Sequence, residues 1–211
     1  MKIILTVAGA LEHAWNKAKL VHRDIKPENI MIEDDGTVKV ADLGLARMAG
    51  HKRQMESLTV EGTPNYMSPE QARGITNLDC RTDMYSLGAT LYHLLTGKIP
   101  FDDPDQMKVI QGQVNGFLPY PRELNRSISI GVAQLLTKLM MKDPDDRYDD
   151  WSEATAEIKK VAAGRVMLSK TSGGTSTISQ PQVKGESEAA ARRVKQHVPI
   201  FIRLPFWTLV L

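Results

Sequence analysis

The sequence predicts an α+β fold that is mainly helical and carries one small β-hairpin. Apolar residues recur at three-to-four spacing through residues 1–19, which is typical of an amphipathic helix. Two short β-rich runs, Ile30–Ile32 and Val38–Val40, flank a turn at residues 34–36 and indicate a hairpin. The stretch Leu87–Leu95 is apolar on nearly every side, which indicates a helix buried in the core.

Composition limits the class of protein. With 211 residues the chain is long enough for one substantial core and a tail. Its 42% hydrophobic residues are ordinary for a globular protein, and a net charge of +2 gives no argument for a nucleic-acid partner. Cys80 is the single cysteine, so no internal disulfide framework is expected and a reducing, cytoplasmic location is favoured. The apolar segment Ile3–Ala10 is too short to predict a signal peptide.

The remaining helices are predicted from caps, stops and periodicity. The buried helix has Thr82 and Asp83 as capping candidates and ends at Gly97. Three further amphipathic helices are predicted, over residues 105–112, 132–141 and 151–162.

The sequence changes character after Ala163. Residues 169–187 are rich in Ser, Thr, Gly and Gln without an apolar stripe, so residues 164–197 are predicted to be a disordered, partly basic linker. The tail, residues 198–211, is apolar, but as a helix it would reach only about 21 Å against a bilayer core of ~30 Å. A truncated membrane span, an interfacial anchor and a stray translated tail are all compatible with it.

The chemistry-bearing residues are concentrated in two neighbouring stretches, VHRDIKPENIMI (residues 21–32) and VKVADLGL (residues 38–45). Two acids, a lysine and an amide lie within nineteen positions: Asp24, Lys26, Asn29 and Asp42. A polar loop beside a hairpin accounts for any three of them, but the full ordered string favours a shared site. In these motifs the chain resembles the eukaryotic-like (Hanks-type) serine/threonine protein kinases, whose catalytic and metal loops read H-R-D…N and D-F-G.

The resemblance implies phosphoryl transfer from ATP with Mg²⁺. It implies that Asp24 acts as the base on the acceptor hydroxyl and that Lys26 stabilises the transferred phosphate. Asn29 and Asp42 are the implied metal ligands, in keeping with the preference of Mg²⁺ for oxygen. Met31 is the implied contact of the adenine ring. The implied ATP-binding set comprises Lys26, Glu28, Asn29, Met31 and Asp42.

Residues 47–58 are polar and basic, lack periodicity, and match the activation loop of this family. Arg23 directly precedes the implied base, as in family members that are switched on by phosphorylation of this loop. A phosphate on Ser57 or Thr59 would bring close to two negative charges, which Arg23 and Arg47 are expected to pair. Ser57 and Thr59 are equally well explained as ordinary polar residues of a loop.

Residues 62–70, GTPNYMSPE, match the segment that receives the substrate, with Ser-Pro-Glu in place of the usual Ala-Pro-Glu. Lys26 and Thr63 match positions that favour serine or threonine, rather than tyrosine, as the acceptor. The run Met67–Ala72 resembles bacterial members of the family.

Three further residues are implied to be structural. Asp83 is expected to bond the backbone of the catalytic loop. Arg147, in KDPDDRY, is expected to form a buried ion pair with Glu70.

The resemblance covers Lys2–Ala163 and implies the C-terminal, lower lobe of a kinase domain, assigned to residues 1–163. No Gly-x-Gly pair occurs, and only twenty-one residues precede His22, so the glycine-rich loop and the lysine–glutamate pair of an N-terminal lobe have no place. The isolated chain is therefore expected to be nearly inactive. The apolar surface that meets an N-terminal lobe is expected to be exposed and available to a partner.

Two functions of different class follow, together with a third alternative. The first is a serine/threonine protein kinase fragment that transfers the ATP γ-phosphate to protein hydroxyls. The second is an inactive lower-lobe module that binds a partner protein or kinase. The third is a degenerate product that does not fold stably. Substrate identity, oligomeric state and membrane contact are not predicted by these residues.

Overall fold

A computed structural model describes residues 1–49 and 63–164. Seven helices lie in these ranges: α1 (Lys2–Ala18), α2 (Pro69–Ala72), α3 (Cys80–Thr96), α4 (Gln106–Asn115), α5 (Pro121–Leu124), α6 (Ile130–Leu139) and α7 (Trp151–Ala162). Four short strands accompany them: β1 (Leu20–Val21), β2 (Ile30–Ile32), β3 (Val38–Val40) and β4 (Arg47–Met48). The predicted α+β, mainly helical fold is confirmed.

Helix α3 is the centre of the core, because its residues from Thr82 to Tyr92 are all buried. The prediction of Thr82 and Asp83 as caps is wrong: the helix begins at Cys80, and the N-cap is Asp79, whose carboxylate accepts the Arg81 N–H. Asp79 satisfies one of the free N–H groups of the first turn, which leaves Asp83 available for a different partner.

The other helices pack around α3. A Cβ at Gly88 would lie 2.8 Å from Met140 Cγ and 2.9 Å from Leu139 Cβ, so α3 and α6 approach too closely for any side chain there. Helix α1 buries Ile4, Val7, Ala8 and Leu11, which belong to the predicted stripe. Its C-cap is Lys19, which adopts the left-handed conformation with φ 49°.

Helices α4, α6 and α7 were predicted with small errors at their ends. Helix α4 extends to Asn115 rather than residue 112, and α6 occupies 130–139 rather than 132–141. Helix α7 has the predicted bounds. Ends are the least certain part of a pattern, because the cap residue and not the apolar stripe fixes them.

Two antiparallel ribbons hold the loops of the site. Strands β2 and β3 form the predicted hairpin, with Ile30 opposite Val40 and Ile32 opposite Val38. Strands β1 and β4 form a second ribbon, with Leu20 opposite Met48. The start of the stretch predicted to be a loop is therefore paired, although the strand is too short to show periodicity.

Several predictions concern residues outside the described ranges. Ser57, Thr59, residues 165–197 of the linker predicted at 164–197, and the tail at 198–211 all lie there. Among the helices within the described ranges, none combines the length and apolar character needed to cross a membrane. Cys80 is buried and forms no disulfide, and burial raises the pKa of its thiol to about 12.

Candidate active site

Asp24 lies at the centre of a buried polar cluster. Its carboxylate oxygen Oδ2 is 2.8 Å from Lys26 Nζ and accepts a hydrogen bond of 3.0 Å from Asn29 Nδ2. The residue is only 9% exposed. Lys26 and Asn29 both contact Oδ2, and neither of them bonds the second carboxylate oxygen, Oδ1.

Lys26 joins the acid to the segment that begins at Thr63. Its ammonium group donates to the Thr63 hydroxyl oxygen at 2.8 Å while it contacts Asp24 at the same distance. Lys26 and Thr63 are 37 positions apart, so this contact fixes the distance between two separate loops. A cation, a carboxylate and a hydroxyl thus lie within hydrogen-bond reach of one another.

The orientation of the Asn29 amide is set by its partners. Asn29 Nδ2 donates to the Asp24 carbonyl oxygen at 2.7 Å, and a carbonyl can only accept, so the atom facing it must be the amide nitrogen. The amide oxygen Oδ1 is therefore the atom left for a cation. Pro27–Asn29 forms a single 3₁₀ turn directly before β2, which holds the amide in this place.

Asp42 follows β3 in the left-handed conformation, with φ 61°. Its Oδ1 accepts the Gly44 N–H at 3.0 Å, and a Cβ at Gly44 would lie 2.9 Å from the same oxygen. Glycine is therefore required for the carboxylate to turn back over its own loop. Leu43, the residue after Asp42, is 60% exposed.

His22 connects the Asp24 loop with the Asp42 loop, a role that the sequence reasoning missed. Its ring Nε2 donates to the Ala41 carbonyl at 3.2 Å, and its Nδ1 accepts the Asp24 N–H at 3.4 Å. Burial lowers the pKa of His22, although the hydrogen bond to Ala41 and the nearby acids act in the opposite direction. The neutral ring fits both contacts, since one nitrogen must donate and the other must accept.

Asp83 holds the backbone on the other side of Asp24. Its two carboxylate oxygens accept the N–H groups of His22 at 2.7 Å and of Arg23 at 2.8 Å. This is the contact that the resemblance implies. Arg23 has φ 71°, a conformation that few non-glycine residues adopt, so the loop needs such outside support.

Gln71 supplies a second support that the sequence reasoning did not identify. Its Nε2 donates to the Arg23 carbonyl at 2.9 Å. Its N–H and side chain also form a capping box with Ser68 at the start of α2. The backbone of Arg23 is therefore held at both its N–H and its carbonyl.

We expect Asp83→Asn to destabilise the protein by about 1–3 kcal/mol, because the new NH₂ group would face a buried N–H donor. The variant should also change the pH dependence of stability. Burial raises the pKa of Asp83 to about 7, while the hydrogen bonds from His22 and Arg23 act to lower it. A raised pKa in the folded state means that this group makes stability fall as pH rises from about 4 to about 7.

Urea unfolding of both proteins across pH 5–8 measures this effect. The free energy of unfolding of the Asp83→Asn protein should lack the decrease with pH that Asp83 causes. Subtracting its curve of free energy against pH from that of the wild type removes the contributions of the other titrating groups. Identical slopes would contradict the assignment.

The Thr63–Met67 segment is anchored by several side-chain contacts. Asn65 Nδ2 donates to the Phe101 carbonyl at 2.8 Å, and the Tyr66 hydroxyl lies 2.7 Å from His93 Nδ1. Burial raises the pKa of Tyr66, and the charges of Glu28 and Asp102 add to the effect. Side-chain contacts thus hold the segment at Thr63, Asn65 and Tyr66.

Glu70 and Arg147 form a buried, two-pronged ion pair. Arg147 Nη1 donates to Glu70 Oε1 at 2.8 Å and Nη2 donates to Oε2 at 2.9 Å. Thr82 donates to the same carboxylate at 2.9 Å. The ion pair that the resemblance implies is therefore present.

Three other residues predicted for the site are exposed. Met31 and Glu28 are exposed and take no part in the hydrogen-bond cluster around Asp24 within the described residues. Arg47 lies in β4 and is exposed.

The donor set fits a magnesium ion shared with a ligand. In the described ranges no three His, Cys, Asp or Glu side chains are grouped to hold a metal by themselves. Asn29 Oδ1 and the Asp42 carboxylate are hard oxygen donors, and Mg²⁺ characteristically takes one or two protein ligands and completes its shell with phosphate and water. The oriented amide and the space kept by Gly44 agree with such a site.

Comparison with known proteins agrees with this geometry. The family model described as "Protein kinase domain" matches residues 1–159. A probable serine/threonine-protein kinase of Clostridium acetobutylicum is 39% identical over 155 residues, 74% of this chain and 23% of the relative. Serine/threonine-protein kinase PknB of Mycobacterium leprae is 38% identical over 166 residues (78% and 26%), and PrkC of Bacillus subtilis is 35% identical over 159 residues (75% and 24%). The chain thus spans about a quarter of the length of these relatives.

Proposed function

The chain belongs to the protein kinase family, with bacterial serine/threonine kinases as its relatives, and from this premise we propose that it transfers the γ-phosphate of ATP to serine or threonine hydroxyls of a protein substrate. The observation that carries the proposal is the contact of Lys26 with both Asp24 and Thr63. Two loops meet there, one with an acid and the other with the start of the proposed substrate segment.

The roles of the two residues follow from their contacts. A substrate hydroxyl that donates to Asp24 Oδ1 would be oriented for attack, since Lys26 and Asn29 already occupy Oδ2. Lys26 would place its positive charge beside the transferred phosphoryl group as negative charge builds up on the leaving oxygen of ADP. Thr63 keeps Lys26 in that position, so that both groups are in place before the substrate binds.

Asn29 and Asp42 are the proposed Mg²⁺ ligands. When bound, the ion neutralises charge on the phosphates of ATP. Asn29 contributes an oxygen whose direction is fixed by the two bonds of its amide nitrogen to Asp24. His22 keeps the Asp24 and Asp42 loops in register through Ala41.

An exposed apolar surface favours the alternative, a partner-binding module. Met31, Ile32 and Leu43 are 55%, 57% and 60% exposed on the hairpin and the loop after it. Exposure of apolar side chains to water is unfavourable, and a second surface that covers them removes this cost. In this alternative the cluster around Asp24 would be retained without turnover, and the apolar surface would bind a protein.

The test uses the protein in the form in which its source cell makes it. The mass of that protein is measured and compared with the 23.5 kDa of these 211 residues. It is incubated with γ-labelled ATP, Mg²⁺ and a mixed pool of serine, threonine and tyrosine peptides. We expect label on serine and threonine only, and none when Mg²⁺ is chelated. No transfer, together with stoichiometric capture of a protein that Leu43→Asp abolishes, would establish the alternative instead.

A further inference from the structure

Lys142 lies outside the cluster around Asp24, yet its ammonium group is fully engaged. Nζ donates to the Gln113 carbonyl at 2.7 Å, the Gly112 carbonyl at 3.0 Å and the Tyr85 hydroxyl at 3.3 Å. An ammonium group has three N–H donors, so each has an acceptor. The nitrogen also lies 4.4 Å from the centre of the Phe101 ring. The ammonium group of Lys142 is therefore held in a specific binding site within the protein, unlike that of a solvated surface lysine.

The two carbonyl acceptors, of Gly112 and Gln113, belong to the last turn of α4. The final carbonyls of a helix lack partners within the helix and carry its negative dipole end, where a cation is favourable. Helix α4 has no basic residue of its own in that turn. Lys142, from the loop between α6 and α7, supplies the missing cation. Burial lowers its pKa to about 8, with Arg147 and Arg73 adding to the effect, so the charged form predominates at neutral pH.

The same turn of α4 holds the Thr63–Met67 segment. The Gln113 side chain is fully buried, and its Nε2 donates to the carbonyls of Pro64 at 2.9 Å and Asn65 at 2.7 Å. Its Oε1 accepts from the Tyr85 hydroxyl at 2.7 Å, the group that also accepts from Lys142. A continuous set of hydrogen bonds therefore runs from Lys142 to the residues directly after Thr63.

The loop that carries Lys142 also holds the other end of the segment. Arg147, five residues on, pairs with Glu70 and donates to the Lys142 carbonyl at 3.2 Å. One loop thus contacts both ends of the stretch from Pro64 to Glu70, directly at one end and through Gln113 at the other.

We propose that Lys142 is a positioning residue for the protein substrate: by fixing the last turn of α4 it sets, through Gln113, the backbone of Thr63–Met67. The proposal rests on the proposed function of this segment as the substrate-binding segment. Its consequence is that loss of Lys142 weakens the binding of peptide while leaving ATP binding unchanged, since Asn29 and Asp42 belong to other loops.

The test compares Lys142→Met, which removes the donors, with Lys142→Arg, which keeps the charge. Lys138→Met is the matched control, because Lys138 lies in α6 and its ammonium group is 5.9 Å from the centre of the Tyr148 ring. Amide hydrogen exchange is measured at Tyr66 and Met67, whose N–H groups bond the carbonyls of Thr63 and Pro64. We expect Lys142→Met to speed this exchange roughly tenfold or more, with partial rescue in Lys142→Arg and no change in Lys138→Met.

Peptide kinetics provide the second measurement. In Lys142→Met we expect KM for the peptide to rise roughly tenfold while KM for ATP stays within twofold. Equal changes in both constants, or unchanged exchange at Tyr66 and Met67 despite a lower melting temperature, would overturn the proposal.

A second variant covers the case in which Lys142→Met does not fold. Gln113→Glu keeps the acceptor for Tyr85 but loses both donors to Pro64 and Asn65. It should raise exchange at Tyr66 and Met67 in the same way, and no rise would overturn the link. A wild-type protein that transfers no phosphate would contradict the proposed function. The exchange experiment needs neither ATP nor peptide, so it decides the role of Lys142 independently of that result.

Discussion

Replacing Arg147 with alanine should lower the free energy of unfolding by about 3–5 kcal/mol, enough to prevent cooperative folding in a domain of ordinary stability. Arg147 and Glu70 are 2% and 5% exposed, so the Glu70 carboxylate would remain buried without its partner. Arg147 also donates to the carbonyls of Met141 and Arg81, which would lose their donor as well. We therefore expect insoluble or unfolded protein rather than a folded protein without activity.

The pair also predicts an acid dependence of stability. Burial acts to raise the pKa of Glu70, but the hydrogen bonds and charge of Arg147 outweigh burial, so the pKa lies below its ordinary value of 4.5. A carboxyl with a lowered folded-state pKa contributes stability above its unfolded-state pKa and loses it as pH falls through the folded-state value. Wild-type stability should therefore decline below about pH 4.5 in part through this group.

Circular dichroism and urea unfolding check the first prediction. Lys160→Ala is the matched control, because it removes the exposed pair with Glu157 and should change stability by less than about 0.5 kcal/mol. In the double variant Glu70→Ala/Arg147→Ala part of the loss should be recovered, since no charge remains buried. A soluble Arg147→Ala protein that unfolds cooperatively within about 1 kcal/mol of wild type, by the same assay, would contradict the prediction.

Asp24→Asn should reduce kcat for phosphate transfer by about 10²–10⁴-fold. The amide keeps the size of the side chain, so the cluster can remain folded, but it cannot take a proton from the acceptor hydroxyl. Lys26 would also lose its ionic contact at 2.8 Å and be held by Thr63 alone. Single-turnover transfer and melting temperature, measured together, separate the chemical effect from unfolding.

Asp34→Asn is the control for this change, because Asp34 is exposed in the turn between β2 and β3. It should leave kcat unchanged, and KM for ATP should change little in either variant. An Asp24→Asn protein that retains kcat within roughly tenfold of wild type would show that another group orients the hydroxyl.

Residues close together in the chain were the best predicted part of the site. Asp24, Lys26 and Asn29 occur within one short motif, and the structure joins them by hydrogen bonds. The functional roles assigned to these residues stay predictions. The helices were predicted equally well where the apolar pattern is strong, as in the stripe of α1 and the stretch of α3 that is apolar on nearly every side.

The residues that were missed have partners far along the chain. Gln71 bonds Arg23 across 48 positions, and Gln113 bonds Pro64 across 49. A glutamine at a helical position carries no periodic signal that distinguishes a buried donor from a solvated side chain. Asp79 was missed as the cap of α3 because Asp83 offered a competing acid four residues later, and only the fold shows that Asp83 bonds the loop instead.

Asp83 and Gln71 hold Arg23 through its backbone, and this has a consequence for substitutions at this position. Asp83 and Gln71 bond the N–H and carbonyl of this residue, so these bonds impose nothing on the identity of its side chain. A replacement of Arg23 would therefore keep these two backbone bonds, but it would remove the Arg23 charge that acts to lower the pKa of Asp83. The left-handed φ of 71° narrows the choice, with glycine, asparagine and aspartate the least strained replacements. The backbone geometry of the loop is thus supported independently of the phosphate-pairing role predicted for the Arg23 side chain.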